Sequence, residues 1–73
     1  MEFITNSDYK IKRKNEDEYD YYTLISQKDI VTYVGDYTEY IFYNINTHEE
    51  ITLNKNNGYD TKNSIKNFDI ILQ

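Results

Sequence analysis

Residues that favour β-strands dominate this sequence. Tyr, Ile, Thr, Val and Phe account for 31 of the 73 residues, and alanine, the strongest helix former, is absent. Several segments also alternate apolar and polar side chains with a period of two, the pattern of a half-buried strand. Because turn signals recur about every 8–12 residues, we predict a mainly β protein, a small antiparallel meander that forms a curled sheet, barrel or sandwich.

We expect one small acidic β-rich domain over residues 1–73. A chain of this length buries only about 60% of the surface that its unfolded form exposes, so its core is marginal. It has no cysteine, so neither a disulfide nor a thiolate–metal bond can support that core.

Five strands are predicted from the alternation, with turns between them. The predicted strands are Asp8–Lys14, Tyr19–Ser26, Ile30–Val34, Tyr37–Ile45 and Glu50–Asn54. Asp8–Lys14 is predicted to be an edge strand, because its lysines would oppose edge-to-edge pairing. Gln27–Asp29 is predicted to turn the chain, and Gly35 with Asp36 is predicted to connect a hairpin because glycine adopts positive φ at low cost.

The C-terminal segment fits two patterns. Ile65, Phe68, Ile71 and Leu72 would share a helical face, whereas Phe68, Ile70 and Leu72 would share a strand face. We predict a short helical turn near residues 62–67 and then a last strand. Before it, the run Asn56–Gly58 predicts a turn.

Few residues are available for catalysis or for binding a cofactor. The chain has one histidine, His48, and two glycines, so a Gly-rich phosphate-binding loop cannot be built. His48 lies in a predicted hairpin loop, where it is expected to be a solvated turn residue rather than a base or a ligand. We therefore expect no enzyme activity, no catalytic residue, no metal and no cofactor.

The charge distribution points to a protein partner. Thirteen acidic residues outnumber eight basic ones, for a net charge of -5, and four of the bases fall within residues 10–14. An acidic surface disfavours direct binding to nucleic acid or to an anionic membrane, whereas it permits binding to a basic protein surface.

Acidic and tyrosine residues are the candidate contacts with that partner, because tyrosine is enriched among residues that anchor interfaces. They are Glu16, Asp17, Glu18, Asp20, Tyr21, Asp36, Tyr37 and Glu39. Two alternatives stay open at this point. The acids near residues 16–20 could pair with the bases at 10–14 in a self-neutralising hairpin, and the tyrosine excess could reflect A+T-rich codons.

The functional hypothesis combines these features. Ile, Asn, Lys and Tyr have A/T-rich codons, which indicates an A+T-rich genome such as that of a bacterium or its phage. No targeting segment is visible, so we expect a cytoplasmic protein. We predict a phage- or mobile-element-encoded inhibitor of a host nucleic-acid-binding defence enzyme, of the anti-CRISPR or anti-restriction type. The alternative is a structural or assembly module that self-associates by β-strand pairing, for example as a homodimer.

Overall fold

Five strands form one antiparallel sheet in a computed structural model that describes residues 2–56 and 62–73. The elements are β1 (Asp8–Arg13), β2 (Asp20–Thr32), β3 (Gly35–Asn44), β4 (Glu50–Asn56), a 3₁₀ turn (Ile65–Asn67) and β5 (Phe68–Leu72). The prediction of a mainly β meander with a short helical turn near the C-terminus is confirmed. Of the turn predicted at 56–58, residue 56 ends β4, and residues 57 and 58 lie outside the described residues.

The sheet has the order β4-β3-β2-β1-β5 and curls without closing. A bulge between Leu24 and Ser26 interrupts the register of β2 with β3, and such bulges bend a strand and increase its twist. Residues 62–67 run from the β4 edge of the sheet towards the β5 edge. At the start of this segment the Asn54 N–H donates to the Asn63 carbonyl at 2.9 Å, and at its end the Lys14 N–H donates to the Asn67 carbonyl at 3.1 Å.

The core lies on the inner face of the curled sheet. Its buried members are Phe3, Tyr9, Ile11, Tyr22, Leu24, Tyr40, Phe42 and Leu53. Phe42 is fully buried, and its ring makes edge-to-face contacts with Phe3, Tyr9 and Tyr22 at centroid distances of 6.0, 5.9 and 6.4 Å. The register pairs Leu24 with Phe42, so alternate residues of neighbouring strands point into the same core.

Two turn predictions in the first half of the chain are wrong. Gln27–Asp29 does not turn the chain but continues β2, where these polar residues pair with β3 across the sheet. The connection of the following hairpin is Tyr33 and Val34, whereas Gly35 is already the first residue of β3, with φ 145°. The positive φ of Gly35 therefore lies directly after the two-residue turn rather than within it.

The prediction that the segment Asp8–Lys14 is an edge strand is also wrong. β1 lies inside the sheet, with β2 on one side and β5 on the other. Ile11 is paired with Asp20 on β2 and with Ile70 on β5. The strand that covers β1 comes from the far end of the chain, so β1 has no free edge for its lysines to protect.

Candidate protein-binding surface

One end of the sheet collects carboxylates from two connections that are distant in sequence. The β1–β2 loop and the β3–β4 turn both lie beside the start of β2, because Tyr22 is paired with Asn44 and the Ile45 N–H donates to the Tyr21 carbonyl at 2.9 Å. We call this surface the acidic end. Its carboxylates belong to Glu16, Asp17, Glu18, Asp20, Glu49 and Glu50.

The carboxylates of the acidic end are exposed, and none of them forms an ion pair within residues 2–56 and 62–73. All six of these residues are exposed. The two ion pairs found among the described residues join β1 to β5 and β2 to β3, so neither neutralises the acidic end. The Glu16 carboxylate accepts a hydrogen bond from the Arg13 backbone N–H at 3.2 Å, which holds the β1–β2 loop against the end of β1.

The basic side chains of β1 pack against aromatic rings. The Lys10 and Lys12 ammonium groups lie 4.7 and 5.4 Å from the centre of the Tyr19 ring, and the Arg13 guanidinium lies 4.6 Å from the centre of the Phe68 ring. Neither ion pair of the described residues joins these bases to the acids at 16–20. The self-neutralising hairpin is therefore not the arrangement that the structure forms.

A buried asparagine shapes the β3–β4 turn. The Asn44 carboxamide oxygen accepts hydrogen bonds from the N–H groups of Asn46 and Thr47 at 2.9 and 3.0 Å. The His48 N–H then donates to the Asn44 carbonyl at 2.9 Å, and His48 has φ 64°. This Asx-type turn is typical of asparagine, and it places the two glutamates that follow at the acidic end.

A cleft of about 970 Å³ opens beside the acidic end. It lies between Glu50–Leu53 on β4 and Ile11–Arg13 on β1, with Phe68 and Tyr22 among the residues that line it. Five carboxylates of the acidic end, all except that of Glu49, line the cleft, against two cationic side chains. Its chemistry suits a cationic group carried on an extended or apolar segment.

Tyr22 places a protonated hydroxyl beside the cleft. Burial raises the pKa of Tyr22 above its ordinary value, and the nearby carboxylates of Asp20 and Glu16 raise it further, whereas a hydrogen bond with Asn44 acts in the opposite direction. The hydroxyl group therefore stays neutral near pH 7. It adds polarity to the cleft without adding a charge.

The fold divides the predicted contact residues into two groups. Five of them belong to the acidic end or lie next to it, including Tyr21, which is 45% exposed. Asp36, Tyr37 and Glu39 lie near the β2–β3 hairpin, at the opposite end of β2. They pair with Val31, Ile30 and Lys28 of β2, which follow Asp20 by 8–11 residues, so the two groups are roughly 25–35 Å apart.

Sequence reasoning missed two features of this surface. It did not place Glu49 and Glu50 beside the β1–β2 loop, although alternate connections of a meander lie at the same end of the sheet. It also missed the apolar tip of the β2–β3 hairpin, where Val31, Tyr33 and Val34 are 79%, 102% and 86% exposed. The sequence did contain a signal for this tip. Residues 33 and 34 are Tyr and Val, whereas Asn, Asp and Gly are usual in two-residue hairpin loops.

The structure offers no cluster of metal ligands among residues 2–56 and 62–73: no group of three or more His, Cys, Asp or Glu residues is placed to hold an ion. His48 is exposed in the β3–β4 turn, and its Nδ1 lies 2.5 Å from the Tyr43 hydroxyl. Within the same described residues, no helix has the length and apolar character needed to cross a membrane.

No protein-family model, no curated protein and no solved structure matches this chain. The acidic end and the adjoining cleft bring exposed carboxylates from two separate connections together at one end of the sheet.

Proposed function

We propose that this protein is a non-catalytic inhibitor that binds a partner protein through its acidic end and competes there with nucleic acid. The partner is a nucleic-acid-binding enzyme with a basic surface, and the inhibitor is encoded by a phage or a mobile element and acts against host defence. The observation that carries the proposal is the convergence of six exposed carboxylates at one end of the sheet, none of which forms an ion pair with another residue of the described part of the chain.

Unpaired carboxylates on one surface favour a basic partner for a physical reason. Their summed field accelerates encounter with a positively charged surface, and this effect weakens as salt screens it. A surface that binds DNA or RNA is positively charged for the same reason. The acidic end would therefore occupy such a surface and exclude the nucleic acid.

Tyr21 supplies an aromatic anchor next to these charges. It is 45% exposed and follows Asp20 directly in β2. Large aromatic side chains carry much of the binding energy in protein interfaces, whereas carboxylates at the rim mainly set the association rate and specificity. The combination of steering charges with an exposed ring suits a protein partner better than a nucleic acid.

An affinity experiment on the native host tests the proposal. The tagged protein is incubated with nuclease-treated lysate and washed over a salt series, and the retained proteins are identified. We expect one nucleic-acid-processing enzyme to be retained, to be released by moderate salt and to be displaced by added DNA or RNA. Retention of an enzyme that nucleic acid does not displace would contradict the competition.

A charge-matched pair of variants locates the binding surface. Glu16→Lys/Asp17→Lys alters the acidic end, and Asp36→Lys/Glu39→Lys makes the same change in net charge at the other end of β2. We expect the first variant to lose the enzyme and its inhibition, and the second to keep both. The reverse result would place binding at the hairpin and contradict the proposal.

Self-association is the second candidate, and the free edge of β5 favours it. β5 ends the sheet order, and Ile71 and Leu72 on this strand are 43% and 52% exposed. An apolar edge strand of this kind can pair with its counterpart in a second copy. Sedimentation over a concentration series tests this: a dimer that Leu72→Lys dissociates would support it, whereas a monomer at every concentration would exclude it.

A further inference from the structure

The outer edge of β4 presents unpaired backbone groups to the cleft. Residues of an antiparallel strand alternate between those bonded to the neighbouring strand and those that face away from it. The Asn44 N–H donates to the Glu49 carbonyl at 2.8 Å, so Glu49 is a residue that bonds to β3. Every second residue after it does the same, and these residues of β4 are Ile51 and Leu53. Thr52 consequently directs its N–H and C=O away from the sheet.

Thr52 is an open position on this edge. Two residues further along, the Asn54 N–H donates to the Asn63 carbonyl at 2.9 Å, so the returning chain covers the edge there. Within the described residues, no hydrogen bond reaches the N–H or the C=O of Thr52. Thr52 also lines the cleft of about 970 Å³, so an extended segment in this cleft would lie beside the outer edge of β4.

We propose that this cleft binds an extended basic segment of the partner protein, which adds to the sheet as a strand along the edge of β4 at Thr52. The inference rests on the proposed function and names the chemistry of the contact. Backbone hydrogen bonds to the strand edge supply affinity in this mode of recognition, while side chains supply specificity. Cationic side chains of the segment meet the carboxylates of the cleft, and its apolar side chains meet residues such as Phe68 and Leu53.

Charge complementarity selects this occupant over the others. Five carboxylates line the cleft against Lys12 and Arg13, and both of these cations already contact groups of the protein itself. A nucleic acid would be repelled by this lining. In a second folded copy the basic residues 10–13 lie in β1, which is paired with a strand on each side, so they are not available to add to the edge of β4.

Synthetic peptides test strand addition directly. The probe is a blocked peptide that alternates lysine and valine and equals β4 in length, 7 residues. The first control carries N-methyl groups on every second residue, which removes backbone donors and leaves the charge unchanged. The second control replaces lysine by glutamate. Binding is measured by calorimetry, and the contact is located by amide hydrogen exchange.

The expected result has two parts. The lysine–valine peptide binds and slows exchange of the Thr52 amide, whereas N-methylation weakens binding about tenfold or more and the glutamate peptide does not bind. Equal affinity for the lysine–valine peptide and its N-methylated form would overturn the inference, because the contact would then be electrostatic alone. Protection elsewhere, or no binding, would overturn it as well.

Thr52→Pro provides the matched change in the protein. Proline removes the outward N–H at a position on an edge strand, where it is tolerated because that group bonds to no neighbouring strand. Affinity for the lysine–valine peptide should fall about tenfold, while circular dichroism and Tm report whether the fold is kept. Should this variant unfold, the N-methylated peptide still decides the question in the unmodified protein.

Failure of this inference can be told apart from failure of the proposed function. If the host enzyme is retained and displaced by nucleic acid but strand-competent peptides do not bind, the strand-addition inference is wrong and the inhibitor proposal stands. If the peptides bind at Thr52 but no nucleic-acid-binding enzyme is retained, the cleft recognises basic segments in a different class of protein, and the inhibitor proposal is wrong.

Discussion

The ammonium group of Lys12 lies 3.0 Å from the carboxylate of Asp69, across the boundary between β1 and β5. Lys12 thus binds an acid that follows it by most of the chain length, rather than the acids of the loop that comes directly after β1. Because the Lys12 ammonium group pairs with Asp69 on β5, it forms no ion pair with a described carboxylate of the acidic end. The pairing of β1 with β5 therefore contributes to the unbalanced charge on which the proposed function depends.

Asp69→Asn should lower the pKa of Lys12. The hydrogen bond with Asp69 is the main cause that raises this pKa above its ordinary value, and partial burial acts against it. Since the pKa is raised on folding, the associated stability is present below the ordinary lysine pKa and is lost as pH rises through the folded-state value. An NMR titration of the Lys12 side chain measures the change. Asp17→Asn, a weaker and more distant influence on Lys12, is the control, and an effect as large as that of Asp69→Asn would contradict the assignment.

Phe42 should be the most sensitive position of the core. Its side chain is fully buried and contacts the rings of Phe3, Tyr9 and Tyr22. Phe42→Ala should cost about 3–5 kcal/mol, a large part of the total for a domain whose stability is about 0.05–0.15 kcal/mol per residue. Denaturant unfolding measures the loss. Phe42→Leu, which keeps most of the volume, should lose less, and equal losses would argue against tight packing around this ring.

The free energy of unfolding should fall as the pH rises above the ordinary tyrosine pKa of 10.0. Burial raises the pKa of both Tyr22 and Tyr40, so the unfolded chain releases these protons first and ionisation favours unfolding. Tyr22→Phe should make the loss of stability with pH less steep, as measured by denaturant unfolding at several pH values. Tyr33→Phe removes the hydroxyl of a fully exposed residue and is the control for the substitution itself.

Period-two alternation was sufficient to predict the β class and most strand positions, because the core needs alternate residues on one face. The alternation gave a wrong result at Gln27–Asp29, where polar residues typical of a turn form contacts with the neighbouring strand instead. Lys28 pairs with Glu39 at 3.8 Å, and the Thr38 hydroxyl donates to the Asp29 carboxylate at 3.0 Å. Such partners are set by register, which a local pattern does not contain.

The candidate surface was predictable only in part, because its assembly is non-local. The acids at 16–20 are adjacent in sequence, so their cluster could be predicted. Glu50 joins this cluster only because β3 returns antiparallel to β2 and brings the β3–β4 turn beside the start of β2. The shape of the cleft depends on where residues 62–67 cross the sheet. The outward direction of the Thr52 backbone groups depends on which residues of β4 bond to β3, and this requires the strand pairing to be known.

His48 should tolerate asparagine and reject valine. Its φ of 64° lies in the left-handed region, where asparagine is favoured and a β-branched residue is strained. His48→Asn should change the free energy of unfolding by less than about 0.5 kcal/mol, since the lost contact with the Tyr43 hydroxyl is exposed. His48→Val should cost about 1–2 kcal/mol. Thermal and denaturant unfolding compare the two, and equal stability of both variants would contradict a left-handed backbone at this position.

The β2–β3 hairpin should owe its stability to backbone geometry rather than to its apolar tip. Tyr33 and Val34 are almost completely exposed, so Tyr33→Ser/Val34→Asn removes little buried surface and introduces residues that favour turns. The free energy of unfolding should stay within about 0.5 kcal/mol of the unmodified value or increase. A marked loss of stability would mean that the tip packs against another part of the molecule in solution.

Gly35→Ala tests the backbone of the same hairpin, whereas Tyr33→Ser/Val34→Asn tests its side chains. A Cβ at this position would have no atom within 4 Å, so no steric clash with a neighbouring side chain opposes the substitution. The φ of 145° is nevertheless a conformation that alanine rarely adopts, and the strain should cost about 1 kcal/mol or more. Denaturant unfolding should therefore rank Gly35→Ala below Tyr33→Ser/Val34→Asn, although it alters far fewer atoms. The reverse order would mean that the side chains at the tip, and not the backbone at Gly35, hold the hairpin together.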